Sequence, residues 1–219
     1  IAGPQANPGS LAGIWAPQIT RAAIFDAMQA RETFATSGTR IKPRFFGGQG
    51  LRATDNPVRL VGDGYVNGVP MGGTLNGLNA APSFTVYAMK DPLGANLDRI
   101  QIVKGWVDDT GEPQERIIDV VWSDGRVPAA DGRLPPVGST VEAKTASYTN
   151  EIGAPTLIGH WMDDEFDPAK AAVYYARVIE IPTPRWTTYD AVRHGLPLPE
   201  GVPIAIQERA WTSPIWYIP

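Results

Sequence analysis

Apolar and polar positions alternate along this chain with two different periods. Between Arg21 and Ala35 the sequence RAAIFDAMQARETFA places Ile24, Ala27, Met28 and Arg31 on one side at helical spacing, and Phe25 widens the apolar stripe. Thr20 stands before it as an N-cap, and no Gly or Pro interrupts it. The pattern predicts a helix over residues 20–35, stopped by Ser37-Gly38.

From residue 83 the period becomes two. Phe84, Val86 and Ala88 alternate with Thr85, Tyr87 and Met89, and Ile100 and Ile102 with Gln101 and Val103. RIIDVVWSD, TLIGHWMDD and VYYARVIEI read as further strands, the last ending at Pro182. Short strands are expected near Leu11–Ala16 and, as an edge strand bent at Pro43, from Arg40. A strand pair is predicted at Val58–Val61 and Gly64–Val69, and one strand or two within STVEAKTASYTN. Asp167-Pro168 opens a possible short helix over 167–176, against a strand preference from Val173 onward. TPRWTTYDAVRHG mixes loop with a short helical turn. A composition shift near residue 45 divides the chain into a helix-bearing part, 1–45, and a mainly β part, 46–219.

Composition narrows the chemistry. Of the 219 residues, 43% are hydrophobic, enough for one substantial core. The 23 Gly and 21 Pro, beside seven Trp and seven Tyr, describe short strands joined by well-packed loops rather than disorder. A net charge of −4 argues against a broad nucleic-acid footprint, and no apolar run approaches a membrane span. With no cysteine, thiolate sites and disulfides are excluded. The two histidines, His160 and His194, fit no metal motif, so a His-rich metal centre cannot be built from this chain alone. The chain begins at Ile1, which we read as the product of removing an upstream segment.

The blocks GIWAPQITRAAIFDAMQARETFATSGTRIKPRFFGG, GVPMGG, KDPLGANLDRIQIVKGW, YYARVIEIPTPRW and QERAWTSPIWY resemble, in this order, the bacterial domain-of-unknown-function family 3604. The similarity covers the chain from about Gly9 to Pro219. Members look like distant relatives of the polymerase-and-histidinol-phosphatase metal hydrolases. The resemblance therefore implies an α+β chain: the C-terminal fragment of a distorted (β/α) barrel followed by a strand-rich domain. The helix at 20–35 would be the last barrel helix, and the strand entering at Arg40 the crossover. The metal ligands would lie upstream, in a His-x-His and an Asp-x-His absent from residues 1–219. Zinc, manganese or iron is then expected in the parent protein and no cofactor in this chain. Where family members often carry acidic residues, this chain reads Pro17-Gln18-Ile19.

Several residue groups carry candidate chemistry. Thr36, Ser37, Thr39 and Arg40 offer hydroxyls and a guanidinium that would neutralise an oxyanion or phosphate; the alternative is a helix stop and a surface strand. Arg185 and Trp186 would recognise a carboxylate or phosphate, or simply pin a Pro-rich loop. Lys104, with Trp106, follows the Asp91–Asp98 loop and would face substrate; the alternative is an ordinary turn at Asp91-Pro92. Asp163, Asp164, Glu165 and Asp167 form either a hard-cation site or a solvated loop, and no EF-hand spacing is present. His160 reads as a packed histidine or, without an identifiable partner, a general base.

Two functions stand. In the first, the chain is the C-terminal part of a metal-dependent hydrolase acting on a small ester or phosphoester. It supplies a pocket wall, lacks the metal ligands and is inactive alone. In the second, it is a non-catalytic module that binds a glycan or a partner. Its expected partners are the missing N-terminal portion and, through the barrel-facing side of residues 10–45, a second copy. A periplasmic setting is favoured over a cytoplasmic one.

Overall fold

The computed structural model describes Ala6 and residues 9–219. In chain order its elements are β1 (Leu11–Ile14), α1 (Arg21–Gln29), β2 (Thr33–Thr36), β3 (Lys42–Gly48), α2 (Pro57–Asn67), β4 (Val69–Pro70), β5 (Thr74–Asn76), β6 (Ser83–Met89) and β7 (Leu97–Val107). They continue with β8 (Pro113–Trp122), β9 (Thr156–Met162), β10 (Ala172–Glu180), β11 (Thr183–Pro184), α3 (Trp186–His194), β12 (Ala205–Ile206), β13 (Arg209–Thr212) and β14 (Ile215–Ile218).

Two largely antiparallel sheets face one another. The larger runs β1-β2-β13-β10, with β7 and then β8 on the far side of β10. β13 and β14 pair in succession with one edge of β10, and β5 adds to β14 in parallel. The smaller sheet is β4-β3-β6-β9. β11 and β12 form a separate two-stranded pair.

The period of two decides which side chains enter the core. Along β10, Ala172, Tyr174, Ala176, Val178 and Glu180 are buried while the intervening residues are half-buried. Along β6, Phe84, Val86 and Ala88 point the same way and meet them. Phe84 sits among Phe45, Trp161 and Tyr174, with ring centroids 5.6, 5.8 and 4.4 Å away. The opposite face of the smaller sheet carries a second core, where α2 packs through Leu60 on Phe46 and Leu51.

The (β/α) barrel expected from the resemblance is not present. The described residues form antiparallel sheets with three short helices, and no sheet closes on itself. The helix expected as the last barrel helix ends at Gln29, six residues short of expectation. Thr20 caps it as predicted, accepting from the Ala23 amide at 3.2 Å. Arg31 then adopts φ 59°, and the amides of Arg31 and Glu32 close on the carbonyls of Met28 and Ala27. The residues beyond it, Thr33–Thr36, pair with β1 on one side and β13 on the other. Sheet pairing on both edges outweighs the helical spacing there.

The strand pair expected at 58–69 is mostly helix. Asn56 caps α2, its Oδ1 accepting from the amides of Val58 and Arg59, and Pro57 fits the first turn, where no amide is needed. The possible helix at 167–176 is a turn followed by β10. The segment at 139–150 forms only an isolated bridge between Glu142 and Ser147. The strands expected at Leu11–Ala16, Ser83–Met89, around Ile100–Val103 and from Val173 are all present.

Candidate functional site

β10 carries its inward phase to the end of the sandwich, and there the phase places a carboxylate. Glu180 is 0% exposed. Neither of its oxygens has a hydrogen-bond partner among the described residues, and the nearby Thr39 Oγ1 is also buried without one. Burial pushes the Glu180 carboxyl up to about 8, and the negative charges of Glu208 and Asp91 add to the rise. The Thr39 hydroxyl and the Lys90 ammonium offset part of it, although Thr39 falls short of a full hydrogen bond. At neutral pH Glu180 is therefore largely a neutral acid that can donate a proton.

The link between β2 and β3 brings the predicted hydroxyl segment to this end. Thr36 is buried in β2, and its Oγ1 accepts from the Gly38 amide at 3.2 Å. The Ser37 hydroxyl donates to the Glu208 carboxylate and accepts from the Arg209 amide at 2.8 Å. The Arg40 amide donates to Asp91 Oδ2 at 2.9 Å, and its side chain reaches solvent. Burial alone would raise the Asp91 carboxyl. The amides of Leu93 and Arg40, with the charges of Arg40 and Lys90, outweigh this and hold it below its ordinary value. The Tyr148 phenol is raised first by burial, then by Tyr189, Glu180 and Asp91, so both tyrosines belong to the same electrostatic neighbourhood.

Arg185 and Trp186 start α3 a few residues after Glu180. Arg185 is buried. Its Nη2 and the Trp186 Nε1 both donate to the Ala6 carbonyl, at 3.2 and 2.7 Å. The pair thus holds the chain where it approaches β1.

Lys104 lies elsewhere. It pairs across strands with Tyr174, six residues back along β10 from Glu180, roughly 20 Å at ~3.3 Å per residue. Its ammonium meets Asp163 Oδ2 at 2.6 Å and the Glu165 carbonyl at 2.9 Å, and the Tyr174 hydroxyl donates to Asp163 at 2.7 Å. The acidic run is divided by these contacts. Asp164 and Glu165 reach Arg116, and Asp167 caps the Ala169 amide. Among the described residues no group of His, Asp or Glu is arranged to hold a metal ion. His160 is fixed through Nε2 to the Leu51 carbonyl at 2.9 Å, a structural contact. His194 ends α3 in solvent.

Glu180, Glu208, Tyr148 and Tyr189 were not singled out in the sequence. The signal for Glu180 was there: it shares the phase of Tyr174, Ala176 and Val178, so a strand ending in VIE had to bury it.

These features define a two-sheet β-sandwich with an unpartnered acid buried at one end, beneath a hydroxyl-rich loop. The chain belongs to the family described as protein of unknown function (DUF3604), whose family model matches residues 1–219. No curated protein and no solved structure matches it.

Proposed function

We propose that this chain is the β-sandwich part of a hydrolase of small esters or phosphoesters, and that its Glu180 end forms one wall of the site. The described residues do not fit a catalytic metal, so any metal would be held by residues outside this chain. The observation that carries the reading is the convergence at one end of the sandwich. Thr39 of the Thr36–Arg40 segment and the Asp91 and Glu208 carboxylates, distant in sequence, gather around a carboxyl whose oxygens have no partner of their own. Burying an acid this way costs stability, and such groups cluster at functional sites. Arg40 would attract an anionic substrate, and Glu180, itself buried, would supply a proton to the departing oxygen by way of the adjacent Thr39 hydroxyl.

The test uses the protein with the residues that naturally precede this chain, its metal content measured, and p-nitrophenyl phosphate and p-nitrophenyl acetate as substrates. Glu180→Gln is expected to lower kcat by roughly 100-fold or more without changing metal content. Arg40→Ala is expected to raise KM for the phosphate ester more than for the acetate. Wild-type turnover by Glu180→Gln, or no turnover of either ester by the unmodified protein, would refute the reading.

A further inference from the structure

Where the smaller sheet stops covering the inner face of β7 and β10, a cleft of about 240 Å³ opens. It is lined by Lys104, Trp106, Glu165, Phe166, Asp167 and Lys170, with Ala172 and Tyr174. We propose that this cleft binds a single sugar ring, a site separate from the Glu180 end and independent of any hydrolytic role.

Three observations argue for it. The first is that the cleft is held in place from several sides. The loop after β9 is tied down by the Asp163 amide to the Pro82 carbonyl at 3.1 Å and by the Tyr217 hydroxyl to the Pro168 carbonyl at 2.8 Å. The Lys104 ammonium fastens the same loop at the Glu165 carbonyl. Phe166 packs edge-on against Tyr217 at 4.8 Å. A wall fixed before binding loses little entropy when a ligand arrives.

The second is charge. Every ionic group at the cleft already has a counterion: Lys104 with Asp163 at 2.6 Å, Glu165 with Arg116 at 3.0 Å, and Lys170 with Asp109 at 2.9 Å and Asp167 at 3.8 Å. A free anion or cation would gain little. A neutral polyhydroxyl gains more. An ammonium has three hydrogens, of which Lys104 uses two on Asp163 and Glu165, and carboxylates keep spare lone pairs. Sugar hydroxyls both donate and accept, which matches this mixture of fixed donors and acceptors.

The third is shape. Pockets for drug-sized ligands run to ~300–1,000 Å³, so this one suits a smaller molecule. Trp106 and Phe166 supply apolar surface for the C–H face of a ring, and the Trp106 ring lies 5.3 Å from the Lys104 ammonium. An aromatic plane beside a fixed polar edge fits a ring with one apolar face and a rim of hydroxyls.

The experiment is saturation-transfer NMR on the whole chain with methyl β-glucoside, methyl β-galactoside and the methyl glycoside of N-acetylglucosamine. Transfer to the ring protons of at least one is expected, with millimolar affinity. Trp106→Leu and Lys170→Met should each weaken it about tenfold. Because Trp106 also packs on the core, the rim variant Lys170→Met decides the matter if Trp106→Leu unfolds. Absence of transfer from all three glycosides, binding that survives Lys170→Met, or displacement by excess inorganic phosphate would overturn the proposal.

Discussion

Lys104 and Asp163 form an ion pair of 2.6 Å inside the sandwich, where the two residues are 5% and 0% exposed. Each charge is tolerated there only because the other is present, with the Tyr174 hydroxyl and the Glu165 carbonyl completing the set. Removing the cation alone strands a buried carboxylate. Lys104→Met is therefore expected to cost about 3–5 kcal/mol in urea unfolding. Adding Asp163→Asn, which removes the stranded charge and still accepts from Tyr174, should recover most of that loss. A single variant costing under about 1 kcal/mol would show that the pair is hydrated in solution.

Glu180 makes stability depend on pH in the opposite sense from a salt-bridged acid. Burial raises its pKa from 4.5 to about 8, so between those values the folded protein holds a proton that the unfolded chain has released. Stability from this group therefore falls as pH rises through that window, and is flat outside it. Glu180→Gln removes the titration. The variant should match the parent near pH 4 and exceed it above pH 8, by an amount on the order of a few kcal/mol. Melting temperatures across this range check it. Parallel curves for the two proteins would mean that Glu180 is ionised and paired in the folded state.

How far the sequence discloses this molecule depends on the range of the forces involved. The strands β6 and β10 were legible because one buried face imposes a period of two on consecutive residues, and Thr20 was legible because capping is local. The end of α1 was not, because Thr33–Thr36 obeys two strands from distant parts of the chain. In α2, Val58, Leu60 and Val61 look strand-like, and the helix is set instead by its Asn56-Pro57 start and by packing on Phe46 and Leu51. The convergence of Ser37 with Glu208 and of Arg185 with Ala6 is set by sheet topology, which no local pattern encodes. The barrel came from the resemblance, and the strand pairing overturns it.

Two glycines of α2 are expected to respond oppositely to the same substitution. A Cβ on Gly64 would stand 2.3 Å from the Phe46 ring, whereas a Cβ on Gly62 meets nothing within 4 Å. Gly64→Ala must push α2 off the smaller sheet, costing roughly 1–3 kcal/mol. Gly62→Ala only reduces backbone freedom in a helix interior and should stabilise by about 0.5–1 kcal/mol. Chemical denaturation of both variants measures this, and equal effects would place α2 away from Phe46.

The surface of α1 predicts how the chain behaves at high concentration. This helix buries Ala27 alone. Phe25 and Met28 are more than half exposed, and Ile19, just before the cap, is 99% exposed. Leu11 in neighbouring β1 is exposed as well. Apolar side chains gathered on one short helix gain by leaving water, and clusters of this kind usually mark contact surfaces. The chain is expected to self-associate reversibly, with an average mass by light scattering that rises with concentration. Phe25→Glu and Met28→Glu place charges on that surface without touching a buried residue of α1. Together they should hold the mass at the monomer value and leave the melting temperature unchanged. Association that persists in the double variant would assign the contact to another face, such as that carrying the exposed Trp216 and Ile218 of β14.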